Sequence, residues 1–397
     1  MPTAPAVATA GMSRPRTLAF AIAGGLAVSN LYWAQPLIEE IASSLSVSRS
    51  IAAALVTATQ IGYALGIFLL VPLGDVLNRR RLIPTVLGLS AVMLLGAAAA
   101  PTFSLLLAAL GAVGFTTIAA QLLVPLASEL AAPQQRGRIV GTIASGVLTG
   151  ILLSRTVSGL VAEAFGWRAI YVIAAILTVV LAVVLYALIP HLEPRERVPY
   201  PRLLASVFTT VRQYPAALPT ILICALGFTI FSLFWTSLTF LLAAPPFSYS
   251  VGQIGLVGLA GLAGALAARR AGAVHDRGWS VPASGIALVL LAFTLVGALL
   301  AGSSITALVV LVILFDAAAQ ANSVLGQTRL LTLPGSARSR LNTALVVSNF
   351  IGGALGSAVS GPLWTAGGWA AIMCAAIALT LAALLIWFTS RDRLAHT

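Results

Sequence analysis

Residues 136–170 recur, without a gap, at an offset of 202: Arg136, Gly150, Ser158, Gly159, Gly166 and Trp167 reappear as Arg338, Gly352, Ser360, Gly361, Gly368 and Trp369. Single identities are common by chance in a chain rich in alanine and leucine. A shared arginine, a Ser-Gly and a Gly-Trp in one register are not. The chain is two copies of one unit, and such a repeat limits the architecture before any local propensity is considered.

Hydropathy identifies the solvent in which the two copies pack. Hydrophobic residues make up 59% of the chain and charged residues 8%, with a mean hydropathy of +1.03, whereas soluble domains are about one quarter charged. Apolar runs of roughly 18 residues or more, enough for a membrane-crossing helix, cover 17–38, 51–73, 82–100, 103–130, 139–163 and 169–190 before the repeat boundary. Matching runs cover 217–243, 252–268, 280–301, 304–328, 341–364 and 369–389 after it. The expected fold is an all-α polytopic membrane protein of about twelve transmembrane helices in two parallel six-helix repeats. Residues 1–190 form the first half and 217–397 the second. The proline- and arginine-rich segment 191–216 is expected to be a cytoplasmic linker, with Leu203, Leu204, Val207, Phe208 and Val211 spaced for a helix lying on the membrane face.

The net charge of +12 reports topology rather than nucleic-acid binding. All 22 cationic residues are arginines, and 19 of them fall in alternate loops and at the two termini. Only Arg49 and Arg168 lie in the opposite loops, and Arg155 lies inside a span. The positive-inside rule therefore places both termini in the cytoplasm and gives the halves one orientation, related by an axis along the membrane normal. The first span is expected to be retained, because its apolar run exceeds that of a signal peptide and no small-residue cleavage site follows it. Cys224 and Cys374 fall in spans, giving neither a disulfide framework nor metal-ligand spacing. With no lysine there is no phosphate-cradling Walker sequence, and His191, His275 and His396 are scattered. Enzyme chemistry, cofactors and metals are not expected.

Between spans two and three lies Pro72-Leu73-Gly74-Asp75-Val76-Leu77-Asn78-Arg79-Arg80-Arg81, and between spans eight and nine lies Gly272-Ala273-Val274-His275-Asp276-Arg277. Both resemble the Gly-x-x-x-Asp-Arg-x-Gly-Arg-Arg signature of the major facilitator superfamily. In the first copy Val71, Val76 and Asn78 stand where that pattern has glycine, arginine and glycine. Asn30-Leu31-Tyr32-Trp33-Ala34-Gln35-Pro36-Leu37 resembles the first helix of the drug:proton antiporter-like branch. That resemblance implies the twelve-helix fold, a cavity lined by spans one, four, seven and ten, and a conformational latch at Asp75, Arg79, Asp276 and Arg277. An aspartate at a helix end can pair with arginine and with a neighbouring helix N-terminus, holding two helices together in one state of the cycle.

Ionisable groups within spans are costly, so they mark functional candidates. At about 1.5 Å per residue, Arg155 in span five and Asp316 in span ten lie at similar depth. They are expected to form the charged centre of the site. A direct pair would favour the carboxylate and oppose proton binding, whereas an unpaired Asp316 would be the proton carrier. Asn30, Tyr32, Gln35, Gln60, Tyr63, Gln121, Trp235, Gln320 and Asn322 are candidate cavity residues. The expected function is alternating-access transport of a small, amphiphilic organic molecule across the lipid bilayer by a monomer, exported in exchange for entering protons. The alternatives are an uptake symporter or uniporter for a polar metabolite, and a non-transporting receptor or assembly protein on the same scaffold. Richness in alanine and arginine points to a GC-rich bacterial genome and hence to an inner membrane.

Overall fold

A computed structural model describes residues 11–132, 134–190, 199–261, 271, 274, 277–333 and 335–395. Among them every regular element is helical, as the bilayer demands: without water, backbone groups must be satisfied within their own segment. The first half contains α1 (Arg14–Ser29), α2 (Ile38–Ser44), α3 (Arg49–Ala52), α4 (Ala54–Leu70), the short α5 (Leu73–Val76), α6 (Arg79–Ala99), α7 (Phe103–Thr116), α8 (Ala119–Leu130), α9 (Arg136–Phe165) and α10 (Arg168–Leu188). After α11 (Tyr200–Gln213) come α12 (Ala217–Ala243), α13 (Val251–Val257) with a 3-10 turn at Gly258–Gly261, α14 (Ser280–Leu300) and α15 (Ile305–Leu331). The stretch Gly335–Ala395 breaks at Gly367 and Gly368 into α16 (335–366) and α17 (369–395). Nine described stretches are long and apolar enough to cross a bilayer, and the last of them holds both α16 and α17. The shorter α1 and α13 occupy the remaining two expected spans. Most of the second part of span eight, 262–268, lies outside the described residues.

Spans one and four, expected to be continuous, are broken. Span one stops at Ser29 and resumes at Ile38; between them the N–H groups of Asn30, Leu31, Tyr32, Gln35 and Leu37 reach back only three residues, tightening the backbone ahead of α2. Pro36, which lacks an N–H, prevents a regular ladder through this stretch. Span four breaks between α7 and α8. There the Thr116 hydroxyl donates to the carbonyls of Ala112 (2.9 Å) and Val113 (3.2 Å), competing with the helix's own bonding.

The repeat has a structural basis at several shared residues. Gly166 and Gly368 both have positive φ, +80° and +57°, at the turn joining the fifth and sixth helices of their halves. Only glycine adopts that conformation without cost, which accounts for the repeated Gly-Trp. Gly150 meets Gly25 of α1, and Gly352 meets Ala225 of α12, so each fifth helix touches its half's first helix through the same glycine. Ser158 and Ser360 donate to the carbonyls three residues earlier, and Arg136 and Arg338 hold carbonyls near the end of the preceding helix. Trp167 carries a variation: its backbone N–H donates to Glu40 (3.1 Å), whose carboxyl is nevertheless raised above its ordinary range by partial burial.

The halves meet towards the end of the bundle remote from the termini. There Thr57 and Ser357 share a hydrogen bond (2.8 Å), the Thr156 hydroxyl donates to Gly255 O (2.8 Å), and the Thr239 hydroxyl donates to Gln35 O (3.3 Å). Phe240 packs among Ile38, Ala42, Ala53 and Val56. Along α9, residues 154–156, 158 and 159 are buried, whereas 136–138, 141, 144 and 145, nearer the terminal face, are exposed. The helix α11 reaches the first half near the terminal face, where the Tyr200 hydroxyl donates to Leu69 O and Phe208 meets Phe68 edge-on at 5.7 Å.

Candidate functional site

Three side chains from three helices form the charged centre. Arg155 of α9 and Asp316 of α15 are 3% and 1% exposed, and both contact Trp235 of α12. The guanidinium lies 4.2 Å from the indole ring centroid, while the indole Nε1–H donates to Asp316 Oδ1 (3.0 Å). Arg155 and Asp316 form no direct ion pair; those among the described residues are Arg49–Glu39, Arg79–Asp75 and Arg79–Glu129. Trp235 is an indole bridge, satisfying one charge through its π face and the other through its N–H. Arg155 Nε donates to Gln35 Oε1 (2.8 Å), and the rings of Tyr32 and Phe231 stand 5.1 and 5.6 Å from the guanidinium.

The glycines of span eight make room for this centre. A Cβ on Gly258 would lie 3.0 Å from Arg155 Cβ, and one on Gly261 would press on Asp316 Oδ2. Gly255 accommodates the backbone of α9 itself. Beside the guanidinium, Gln35, Pro36, Trp235, Leu238, Thr239 and Ile254 enclose a cavity about the size of one water molecule.

The remaining cavity candidates separate into layers. Gln60 donates to Ser232 Oγ (3.0 Å), linking α4 to α12, and Gln121 donates to the Tyr63 hydroxyl (3.2 Å). The Tyr63 ring meets Phe350 edge-on at 4.4 Å. Asn30 accepts from its neighbour Trp33 (2.8 Å). Asn322 is buried against Gly227, and Gln320 is half-buried without a hydrogen bond to the charged centre. The structure thus gathers Tyr32, Gln35, Arg155, Trp235 and Asp316, sets Tyr63 and Gln121 apart as a second pair, and leaves Gln320 and Asn322 outside both.

The loop signature is organised around Arg79. This largely buried guanidinium donates to Asp75 Oδ1 (2.9 Å), Glu129 Oε1 (2.7 Å) and Gly74 O (2.6 Å). Glu129, on α8, was absent from the sequence candidates; an acid at the arginine-rich end of span four was its signal. Asp276 lies outside the described residues, and Arg277 is exposed. Arg329, grouped with the loop arginines by sequence, is buried; its Nη2 donates to Ser280 O, Ser280 Oγ and Ser284 Oγ at 3.0–3.2 Å.

Apolar helices in two like halves around a buried charged centre define a membrane transporter. The sequence profile of the Major Facilitator Superfamily matches residues 20–327, and the chain belongs to that family. It is 42% identical over 372 residues to the uncharacterized transporter YgaY of Escherichia coli O157:H7, covering 94% of each chain. To the probable transporter SCO4007 of Streptomyces coelicolor it is 35% identical over 357 residues, covering 90% of this chain and 83% of that one. A solved structure of a bacterial homolog to the human lysosomal transporter Spinster, inward-facing and unoccupied, has a similar fold. Its TM-score is 0.75 at 15% identity, over 96% of this chain and 98% of that chain. The nucleoside transporter NupG gives 0.71 at 16%, over 95% and 98%. At such identities these likenesses speak for the fold. Family membership makes the chain a multi-pass membrane transporter of a small molecule, not an enzyme.

Proposed function

We propose that this transporter is proton-coupled and works by alternating access, with Asp316 as the proton site. One observation carries the reading: a buried carboxylate, joined through Trp235 to a buried arginine, lies near the contact between the two halves. Among the described residues it is the only carboxylate in the middle of a span. The arginine distribution makes the terminal face cytoplasmic, so the conformation described above is closed outward. Residues 1–190 and 217–397 are the rocking bodies, joined through 191–216. The Ala- and Arg-rich composition agrees with a bacterial inner membrane, and a single chain forms the whole path.

A thermal-shift screen of the purified protein against metabolites and antibiotics supplies a substrate for proteoliposome assays. Asp316→Asn is expected to lose pH-gradient-driven accumulation and to keep counterflow of that substrate. Unchanged dependence on the gradient in this variant overturns the proton site, and absence of specific counterflow in the wild type favours a receptor. The loop network serves as the latch, Asp75 being the half-exposed acid that can change partners. Asp75→Asn is therefore expected to slow turnover about tenfold with little change in ligand affinity; wild-type turnover counts against that role.

Export in exchange for protons is the direction expected from the sequence. Cotransport is the second reading, favoured by the unpaired donors of Arg155: a proton on Asp316 leaves the arginine's charge uncompensated and ready for an anion.

A further inference from the structure

The guanidinium of Arg155 is buried with most of its donors unused. Nε is bonded to Gln35, but Nη1 and Nη2 have no hydrogen-bond partner, and neither has Gln35 Nε2 beside them. The rings of Trp235, Tyr32 and Phe231 offer their π systems to the cation. Rings can stabilise the charge without accepting the N–H bonds at its edge, and a buried donor without an acceptor is costly. A guanidinium edge with two free nitrogens is the geometric complement of a carboxylate.

Neighbouring side chains describe the remainder of such a ligand. Phe231 and Phe228 follow Trp235 along α12 towards the terminal face, stacked on each other at 5.7 Å, and Phe350 stands 4.9 Å from Phe228. Burial loosens along this series, from Trp235 through Phe231 to the half-buried Phe228. An apolar body lying along these rings would place its charge at Arg155.

Resting on the transport reading above, we propose that the substrate is an amphiphilic organic monoanion. Its carboxylate is held by Arg155 Nη1 and Nη2, and its apolar part lies against Phe231 and Phe228. Charge balance then couples it to the proton. With Asp316 ionised, the arginine and the aspartate cancel, and a bound anion leaves the site with one excess negative charge. A proton passing from solvent to the Asp316 carboxylate restores neutrality, with no other bond made or broken. Anion and proton load together, which makes the coupling cotransport.

The test uses the full chain in detergent with three probes of one scaffold: 4-phenylbutyrate, 4-phenylbutylamine and 4-phenylbutyramide. Only the carboxylate is expected to raise the Tm. Its affinity should fall about 100-fold in Arg155→Gln and about tenfold in Arg155→Lys, and should be undiminished in Asp316→Asn. In weakly buffered solution near neutral pH, the wild type should take up protons on binding the anion, and Asp316→Asn should not. An equal response to the amine or amide, no response to the carboxylate, or proton release in place of uptake overturns the inference. The probe comparison needs no variant, so it decides even if Arg155→Gln does not fold. A cationic or neutral screening hit transported in an Asp316-dependent way sinks the anion proposal and spares the transport reading. Arg155-dependent anion binding without flux does the reverse.

Discussion

Replacing Thr57 and Ser357 with cysteine, in a chain whose Cys224 and Cys374 have been changed to alanine and serine, is expected to give a protein that transports only when reduced. The two hydroxyl oxygens are 2.8 Å apart, on α4 of the first half and α16 of the second. Sulfurs placed there are within reach of a disulfide bond, about 2.0 Å long. The contact is part of the closed end of the bundle, together with Thr156–Gly255 and Thr239–Gln35. Alternating access requires this end to open, and a covalent bond across it confines the molecule to one of its states. With the bond complete, transport should fall below about a tenth of the reduced level and recover on reduction, because turnover needs both conformations. Each single cysteine variant should transport alike in both conditions. Full activity in a quantitatively cross-linked sample would show that the halves do not separate at Thr57 and Ser357.

Much of this architecture was legible in the sequence because the bilayer imposes a simple rule. A long apolar run becomes a helix, and a shared Gly-Trp becomes a shared turn with a left-handed glycine, as Gly166 and Gly368 show. The depth of Arg155 and Asp316 followed from counting residues along their helices. Their relation did not. A span that is apolar all round carries no pattern to fix its rotation, so nothing in the sequence indicated that Trp235 would stand between the two charges. The breaks after Ser29 and Thr116 were hidden for a related reason: hydropathy records what a segment dissolves in, while a local change of backbone bonding leaves that nearly unchanged. Glu129 and the buried Arg329 were missed because loop position was read as exposure. In the structure both side chains turn inward at span ends, where Glu129 receives Arg79 and Arg329 finds serine oxygens.

Gly150→Leu should cost the protein its fold, whereas Gly96→Leu should leave it intact, although both substitutions add the same four carbons to a membrane helix. A Cβ at 150 would overlap the backbone carbonyl of Gly25, with its carbon 2.6 Å away, and backbone cannot rotate aside as a side chain can. Helix α1 would have to move off α9, and it carries the Tyr32 and Gln35 segment that borders Arg155. Overpacking of this kind costs about 3 kcal/mol or more, a large fraction of a typical stability of about 5–15 kcal/mol. Nothing lies within 4 Å of a Cβ at Gly96, which faces outward from α6, and leucine is the better helix former by somewhat under 1 kcal/mol. The duplication extends the expectation to Gly352→Leu, since a Cβ there would lie 2.5 Å from Ala225 O on α12. Monodispersity on size exclusion and the Tm in one detergent decide the matter. Folded Gly150→Leu protein with a wild-type Tm would mean that the repeated glycine is not what brings the first and fifth helices of each half together.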